Sequence, residues 1–174
     1  MPETRSPPRC RPAAELTDRP LREANRRVAR TVGHAGSGDD DGGKRRRNDA
    51  LLRKRLGLGD DVPITENRGY TRDKHTPEGS VAQRDIKKGK EAHVFLPGLD
   101  LDEIARRVIA DGTDAGAARG WQRIVLRFDH PVGERIEDGR PGVPCYYAEI
   151  KCRRLADGRW EYHLVPRVSP PKES

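Results

Sequence analysis

The chain has 174 residues, of which 33% are hydrophobic and 36% charged, and its formal net charge is +7. This apolar fraction is too small for all residues to share one core, so we expect part of the chain to be extension. The three cysteines have no regular spacing, which excludes a disulfide framework, and no motif predicts a metal or cofactor. The positive surplus favours polyanionic partners, nucleic acid first, through phosphate contacts and counterion release.

Residues 1–60 are predicted to be a basic extension, partly helical and partly disordered. Residues 1–19 are rich in proline and arginine, which is typical of disorder. Residues 20–32 have apolar positions at helical spacing, but the stripe is thin and the rest of the surface is arginine. This pattern indicates either a marginal solvated helix or one that forms on a nucleic acid or another partner.

Residues 34–47, HAGSGDDDGGKRRR, are predicted to be a linker because glycine, serine and aspartate cannot bury anything there. Its basic quartet resembles a nuclear-import or phosphate-binding patch, and the alternative is that it is only solvated. Residues 48–58 are predicted to form a short helix with Asn48 or Asp49 as its N-cap. The leucines of this helix could dock on the domain that follows.

Residues 71–80 are predicted to be a loop, because Thr76-Pro77-Glu78-Gly79 is a turn signature. Lys74 and His75 lie just before this turn. A loop that presents a lysine and a histidine is a good place for chemistry. The alternative is that His75 is an ordinary surface imidazole.

The middle of the chain predicts a strand at residues 92–96 and a helix at residues 100–110. Asp100 or Asp102 caps the helix. Its predicted buried face is Leu101, Ile104, Ala105, Val108 and Ile109. Between the loop and the strand, residues 81–90 are polar and basic.

Three segments follow the helix. Residues 113–120 are small and predict a loop, whereas residues 121–128, WQRIVLRF, alternate as a strand. Residues 132–136 continue in extended conformation, and a turn then leads into the last segment. No internal repeat is apparent.

Residues 145–168 predict a β-hairpin, because two alternating runs flank Ala156-Asp157-Gly158. A two-residue turn would put apolar and polar side chains on one face. A three-residue loop with Gly158 in the left-handed conformation removes this conflict. In that register Lys151 lies opposite His163, and an ionisable imidazole stands beside a cationic row.

These elements predict an α+β fold with a twisted antiparallel sheet of about four strands and a helix packed on one face. The compact domain is predicted to span residues 61–168, with a tail at residues 169–174.

The basic and imidazole groups permit metal-free RNA cleavage, whereas no Walker loop, dinucleotide fingerprint or nucleophile elbow is present. In that reaction one group removes the 2′-hydroxyl proton and another protonates the leaving 5′-oxygen. Imidazoles titrate near neutrality and serve both roles, and lysines stabilise the charge that grows on the phosphate.

An ordered set of short motifs runs through the second half of the chain. It begins with Lys74-His75 and a small-residue turn, followed by Gly89-Lys90, a helix and Val132-Gly133. It closes with a hairpin ending in His163-Leu164-Val165-Pro166. Over roughly a hundred residues this order resembles the C-terminal ribonuclease modules of bacterial polymorphic toxins. Those modules belong to the superfamily that groups barnase, EndoU, colicin-type and RelE-like nucleases.

This resemblance implies roles for particular residues. His75 and His163 would be the acid–base pair, and Lys74 and Lys90 would stabilise the phosphate. The implied substrate-binding residues are Lys88, Arg123, Tyr147, Lys151 and Arg153. Where the family often has hydroxyl residues, this chain has Glu91 and Cys145-Tyr146.

Two hypotheses therefore stand. The first is a metal-independent endoribonuclease of toxin type, with RNA as substrate and an acidic immunity protein as partner. The second is a non-catalytic nucleic-acid-binding or adaptor protein. The chain as written predicts a cytoplasmic location without membrane contact, and delivery as the tail of a larger toxin polypeptide is the alternative. The pattern leaves the oligomeric state open.

Overall fold

The computed structural model describes residues 40–137, 140 and 142–171. Its elements in chain order are α1 (Asp40–Arg55), β1 (Ile64–Glu66), α2 (Arg68–His75), α3 (Ser80–Lys87), β2 (Ala92–Phe95), α4 (Leu101–Asp111), β3 (Thr113–Ala118), β4 (Trp121–Arg127), β5 (Gly133–Ile136), β6 (Val143–Cys145), β7 (Tyr147–Arg154) and β8 (Trp160–Arg167). The disorder predicted for residues 1–19 and the helix predicted for residues 20–32 lie outside the described residues. In the part of the chain that the structure describes, no helix has the length and apolar character needed to cross a membrane.

Strands β7 and β8 form the predicted hairpin in the predicted register, with Lys151 opposite His163. The loop closes with a hydrogen bond of 2.7 Å from the Leu155 N–H to the Arg159 carbonyl. Gly158 has a φ of +85°, the left-handed conformation that glycine adopts without strain. The hairpin prediction is confirmed, and its register decides which side chains share each face of the sheet.

The hairpin lies inside a five-stranded sheet with the order β1-β8-β7-β4-β3. β1 runs parallel to β8, and the other neighbours are antiparallel. A second, three-stranded antiparallel sheet has the order β2-β5-β6. The α+β class is confirmed. The structure has more strands than predicted because pairs such as Ile64 with Trp160 join residues far apart in sequence and leave no local signal.

One side of the five-stranded sheet, here called the core face, is apolar and packs against α4. Its buried side chains include Ile124, Ala148, Ile150, Cys152, Tyr162 and Leu164. Of the predicted buried face of α4, Ile104, Ala105, Val108 and Ile109 are buried against the sheet. Leu101, the fifth predicted residue, is only partly buried against the same core. Asp100, one of the two predicted caps, accepts a hydrogen bond of 3.1 Å from the Glu103 N–H. Removal of these apolar surfaces from water stabilises the packing of sheet and helix.

The opposite side, here called the polar face, carries the predicted cationic row. Its residues include Arg123, Glu149, Lys151, Arg153, Glu161 and His163. This face is only partly solvated, because Glu149 is 0% exposed and His163 is 6% exposed. The buried Glu149 carboxylate forms an ion pair of 3.0 Å with Arg167, which offsets part of the cost of burying a charge.

Helix α1 covers both the end of the predicted linker and the predicted short helix. Asn48 and Asp49 lie inside it, so the prediction that either residue is its N-cap is wrong. The Asn48 amide donates to the Asp102 carbonyl at 2.9 Å, and Asp49 accepts from the Tyr162 hydroxyl at 2.9 Å. Leu52 is fully buried. The early turns of α1 have low helix propensity, so these tertiary contacts are what stabilise it.

Helix α1 and the elements after it belong to one compact unit, so the compact part begins before residue 61. Two predicted loops are also wrong. Lys74 and His75 lie in α2, and the predicted turn follows that helix, with a hydrogen bond of 3.1 Å from the Gly79 N–H to the Thr76 carbonyl. β3 occupies most of the predicted loop at 113–120, because pairing with β4 outweighs the weak strand preference of its small residues. The segment at 81–90 contains helix α3.

Candidate active site

The start of α2 forms hydrogen bonds with β8 at the residues immediately before and after His163. The Asn67 N–H donates to the Tyr162 carbonyl at 2.7 Å. The Leu164 N–H donates to the Thr71 hydroxyl oxygen at 3.3 Å. These two bonds extend the pairing of β1 with β8 and place the first turn of α2 beside the His163 side chain.

Two aromatic rings contact the His163 imidazole. The Tyr70 ring centroid lies 4.7 Å from the His163 centroid, and the Trp121 centroid lies 4.8 Å from it. The three rings contribute to the wall of a cleft of about 170 Å³. The residues that line this cleft are Asn67, Tyr70, Trp121, Lys151, Arg153, Glu161 and His163. We call it the His163 cleft.

A second depression, of about 330 Å³, adjoins the His163 cleft across Trp121. Its lining residues are Ala118, Arg119, Trp121, Arg123 and Lys151. Trp121 and Lys151 line both depressions. The two depressions are therefore neighbours on the polar face, and Arg119, Arg123, Lys151 and Arg153 supply positive charge to their linings.

His75 lies at the end of α2, and its ring, like that of His163, is close to Tyr70. The Tyr70 and His75 ring centroids are 5.9 Å apart. The Nδ1 atom of His75 is 2.9 Å from the carbonyl oxygen of His93. A carbonyl only accepts hydrogen bonds, so this contact selects the tautomer protonated at Nδ1 and leaves Nε2 as the basic nitrogen. His75 is 6% exposed and is not among the residues that line the His163 cleft.

Both imidazoles are neutral at pH 7. Burial, followed by the positive charges of Lys151, Arg153 and Lys74, lowers the pKa of His163 to about 4. Burial also lowers the pKa of His75 to about 4, against the hydrogen bond to His93, which raises it. Desolvation disfavours the charged imidazolium in both cases. An anion bound among the same cations would reverse part of this shift at His163.

The cations around the cleft have distinct surroundings. The Lys74 ammonium lies 5.6 Å from the Tyr70 ring centroid, and the Arg153 guanidinium lies 4.3 Å from the Trp121 centroid. Arg153 also pairs with Glu161 at 2.6 Å. Burial lowers the pKa of Lys151, while the nearby Glu149 carboxylate raises it.

The other predicted site residues, among them Lys90 with its predicted catalytic role, lie elsewhere. The Arg123 guanidinium is buried and donates to the Ala115 carbonyl at 2.8 Å, so it secures strand β3 in addition to lining the second depression. Tyr147 pairs with Arg167 at the far end of the polar face. Lys88 and Lys90 are exposed after α3 and do not line the His163 cleft.

Glu91, which stands where the resembled family often has a hydroxyl residue, takes part in a different contact. Its carboxylate is 3.5 Å from the His93 ring and 3.7 Å from Arg135. No group of three or more His, Cys, Asp or Glu side chains among the described residues could hold a metal ion.

Sequence reasoning missed Tyr70 as a site residue, because residues 62–70 have no clear period. One local signal was present. Asn67 is the N-cap of α2, and its side-chain oxygen accepts from the Tyr70 N–H at 3.1 Å. An N-cap at Asn67 places Tyr70 and Lys74 four residues apart on one helix face.

Comparisons with known proteins give one solved structure and one family. The structure is described as "Crystal structure of CdiA-CT/CdiI complex from Y. kristensenii 33638", and its matched chain is 14% identical to this one with a TM-score of 0.34. The match covers 56% of this chain and 97% of that chain. No curated protein sequence matches the chain. Residues 63–171 match the family described as "Domain of unknown function (DUF6972)", which is more than half of the chain, and the chain therefore belongs to that family.

Proposed function

We propose that the protein is a metal-independent endoribonuclease that cleaves RNA at the His163 cleft. The observation that carries this proposal is the position of His163 between two aromatic rings, with Lys151 and Arg153 lining the same cleft. The cations attract and neutralise a phosphodiester, and the imidazole supplies proton transfer beside it. The second imidazole, His75, lies near the same Tyr70 ring, with the ring centroids 5.9 Å apart.

In the proposed reaction the 2′-oxygen attacks the adjacent phosphorus and the bond from phosphorus to the 5′-oxygen breaks. His75 accepts the 2′-hydroxyl proton at Nε2, because its Nδ1 donates to the His93 carbonyl. His163 donates a proton to the leaving 5′-oxygen. The products are a 2′,3′-cyclic phosphate and a free 5′-hydroxyl. His75 then releases the proton it accepted to solvent and His163 takes up a proton from solvent, which restores both imidazoles.

The bound phosphate has a second effect in this scheme. Lys151, Arg153 and Lys74 lower the pKa of His163, and an anionic phosphate among them offsets their charge. The pKa of His163 therefore rises when RNA binds, which gives this imidazole the proton that it donates. Lys74 and Lys151 also stabilise the charge that grows on the phosphate. The exposed Lys88 and Lys90 attract RNA from a distance.

The test is cleavage of a labelled single-stranded RNA in the presence of EDTA. We expect His163→Ala to reduce the cleavage rate by roughly 10²- to 10⁴-fold, the usual contribution of a general acid or base. His130→Ala is the matched control, because His130 lies outside the cleft and pairs with Asp129 at 2.6 Å. Uncut RNA, or equal rates for the two variants, would contradict the proposal.

A non-catalytic nucleic-acid-binding protein is the second candidate. One observation favours it: both imidazoles have a pKa of about 4, so neither carries a proton at pH 7 without a bound anion. For such a protein, RNA binding would fall steeply with salt while the RNA stays intact. Alanine at His75 or His163 would then change affinity only slightly, which separates this candidate from the nuclease.

We further propose that the enzyme is a bacterial toxin with an acidic immunity protein as partner. The resemblance of its motif order to toxin ribonuclease modules supports this, and an acidic protein would complement the basic polar face. The target RNA is in the cytoplasm, which the chain reaches by synthesis there or by delivery as part of a toxin system. Expression should arrest bacterial growth, His163→Ala should relieve the arrest, and a small acidic protein encoded beside the toxin should relieve it too.

A further inference from the structure

Tyr70 stands out because it contributes an aromatic ring to the surface. Among the described residues it is the large hydrophobic side chain that is exposed, at 40%. A single exposed ring is common on protein surfaces, so the exposure of Tyr70 matters because of where the ring lies. Tyr70 lies at the His163 cleft, beside the Lys74 ammonium, where a nucleic acid would find both a ring and a positive charge.

The shape of the His163 cleft limits what can enter it. Its volume of about 170 Å³ is smaller than the 300–1,000 Å³ typical of pockets for drug-sized ligands. A single planar heterocycle fits such a space, whereas a base pair does not. The Arg153 guanidinium lies over the Trp121 ring at 4.3 Å, whereas the Lys74 ammonium is farther from the Tyr70 ring, at 5.6 Å. Tyr70 is also 40% exposed, so it is the ring with more open surface for stacking. Asn67 and Glu161 add hydrogen-bonding groups to the lining.

The second depression indicates the path of the nucleic-acid backbone that carries the heterocycle. Lys151 lines both depressions and therefore lies between them. A phosphate at Lys151 connects a nucleotide in the His163 cleft with the next nucleotide over Arg119. This arrangement matches single-stranded nucleic acid, in which bases are unpaired and a basic groove follows the backbone.

We propose that the His163 cleft binds one unpaired nucleobase stacked on Tyr70, with the adjoining phosphate at Lys151. The proposal rests on the proposed function and names its substrate class as single-stranded RNA. A base in a duplex must first be unstacked and unpaired, at a cost of a few kcal/mol. Duplex RNA is therefore a poor ligand for this cleft.

The experiment measures binding without cleavage, by fluorescence anisotropy. The probes are a 12-nucleotide single strand with 2′-O-methyl groups, the same strand in a duplex, and an abasic strand with the same number of phosphates. The 2′-O-methyl group blocks the attacking oxygen, so the result does not depend on catalysis. We expect the single strand to bind about tenfold more tightly than the abasic strand and the duplex, in line with measured stacking contributions.

Two variants test Tyr70 itself. Tyr70→Leu keeps apolar bulk without the ring, and should lose most of the tenfold preference while leaving the affinity for the abasic strand unchanged. Tyr70→Phe keeps the ring and should retain the preference. Equal binding of the abasic and base-containing strands by the wild-type protein would overturn the proposal, as would an unchanged preference in Tyr70→Leu. If the protein prefers base-containing strands but leaves RNA uncut, only the nuclease proposal is contradicted.

Discussion

The two faces of the five-stranded sheet are made of alternate residues of the same strands, and both contain fully buried side chains. On the core face the buried groups are apolar, such as Leu164, and helix α4 covers them. On the polar face they include Glu149 and His163, which are buried beside several cations. Burial of an apolar group stabilises the fold, whereas burial of an ionisable group costs free energy and changes its pKa. The comparison separates residues that stabilise the fold from residues that the proposed function uses.

The neighbours Leu164 and His163 give the sharpest test of this division. Leu164→Ala should lower the free energy of unfolding by about 2–5 kcal/mol, because it leaves a cavity in the core. His163→Ala should cost less stability but reduce the rate of RNA cleavage by roughly 10²- to 10⁴-fold. Urea denaturation followed by circular dichroism measures the first effect, and the cleavage assay measures the second. A His163→Ala protein as unstable as Leu164→Ala would show that the polar face is structural.

The second-largest expected effect is the pH dependence of the free energy of unfolding. In the unfolded chain the imidazoles have a pKa of about 6.5, whereas His75 and His163 have a folded pKa of about 4. Between these values the unfolded chain binds more protons, so stability falls as the pH is lowered from 7 towards 4, by at most about 3 kcal/mol per imidazole.

Comparison of the wild-type protein with His163→Gln isolates this contribution. Asp49 and Glu66 have a raised pKa because of burial and act in the opposite sense, but they are present in both proteins and cancel. The urea midpoints of the two proteins should approach each other as the pH is lowered from 7 to 6 and 5, because the variant loses less stability than the wild-type protein. Parallel curves would mean that His163 has its ordinary pKa.

The smallest expected effect concerns one charge on each side of the sheet. Lys151→Ala should reduce the slope of log affinity against log salt by about 0.7 to 1 for a non-cleavable single strand, as expected for one lost phosphate contact. Arg106→Ala removes an exposed charge from α4, on the core-face side, where it pairs with Glu103 at 2.6 Å. It should leave the slope unchanged. Equal effects would indicate that RNA binding does not distinguish the two faces.

The sequence predicts the two faces well because their signals are local. The register of Lys151 against His163 follows from alternation and from Gly158, all within one hairpin. The buried stripe of α4 is local for the same reason, since helical spacing and the Asp100 cap lie within eleven residues of one another. Period and turn chemistry suffice for such elements.

The contacts that bury part of the polar face are less predictable, because they join residues that are distant in the sequence. Tyr70 reaches His163 only because β1 pairs in parallel with β8 and the Leu164 N–H bonds to Thr71. Arg123 illustrates the same limit. Its place on the polar face follows from alternation, but its bond to the Ala115 carbonyl depends on a strand whose small residues carry no strand signal.

Helix α1 has a practical consequence for anyone preparing a shorter version of this protein. The family match begins at residue 63, after α1 has ended. A fragment cut at that boundary would lose the Asp49 partner of the buried Tyr162 hydroxyl and would uncover the surface that Leu52 shields. A recombinant domain intended for crystallisation should therefore start upstream of Asp40, so that the apolar surface stays covered and the protein does not aggregate.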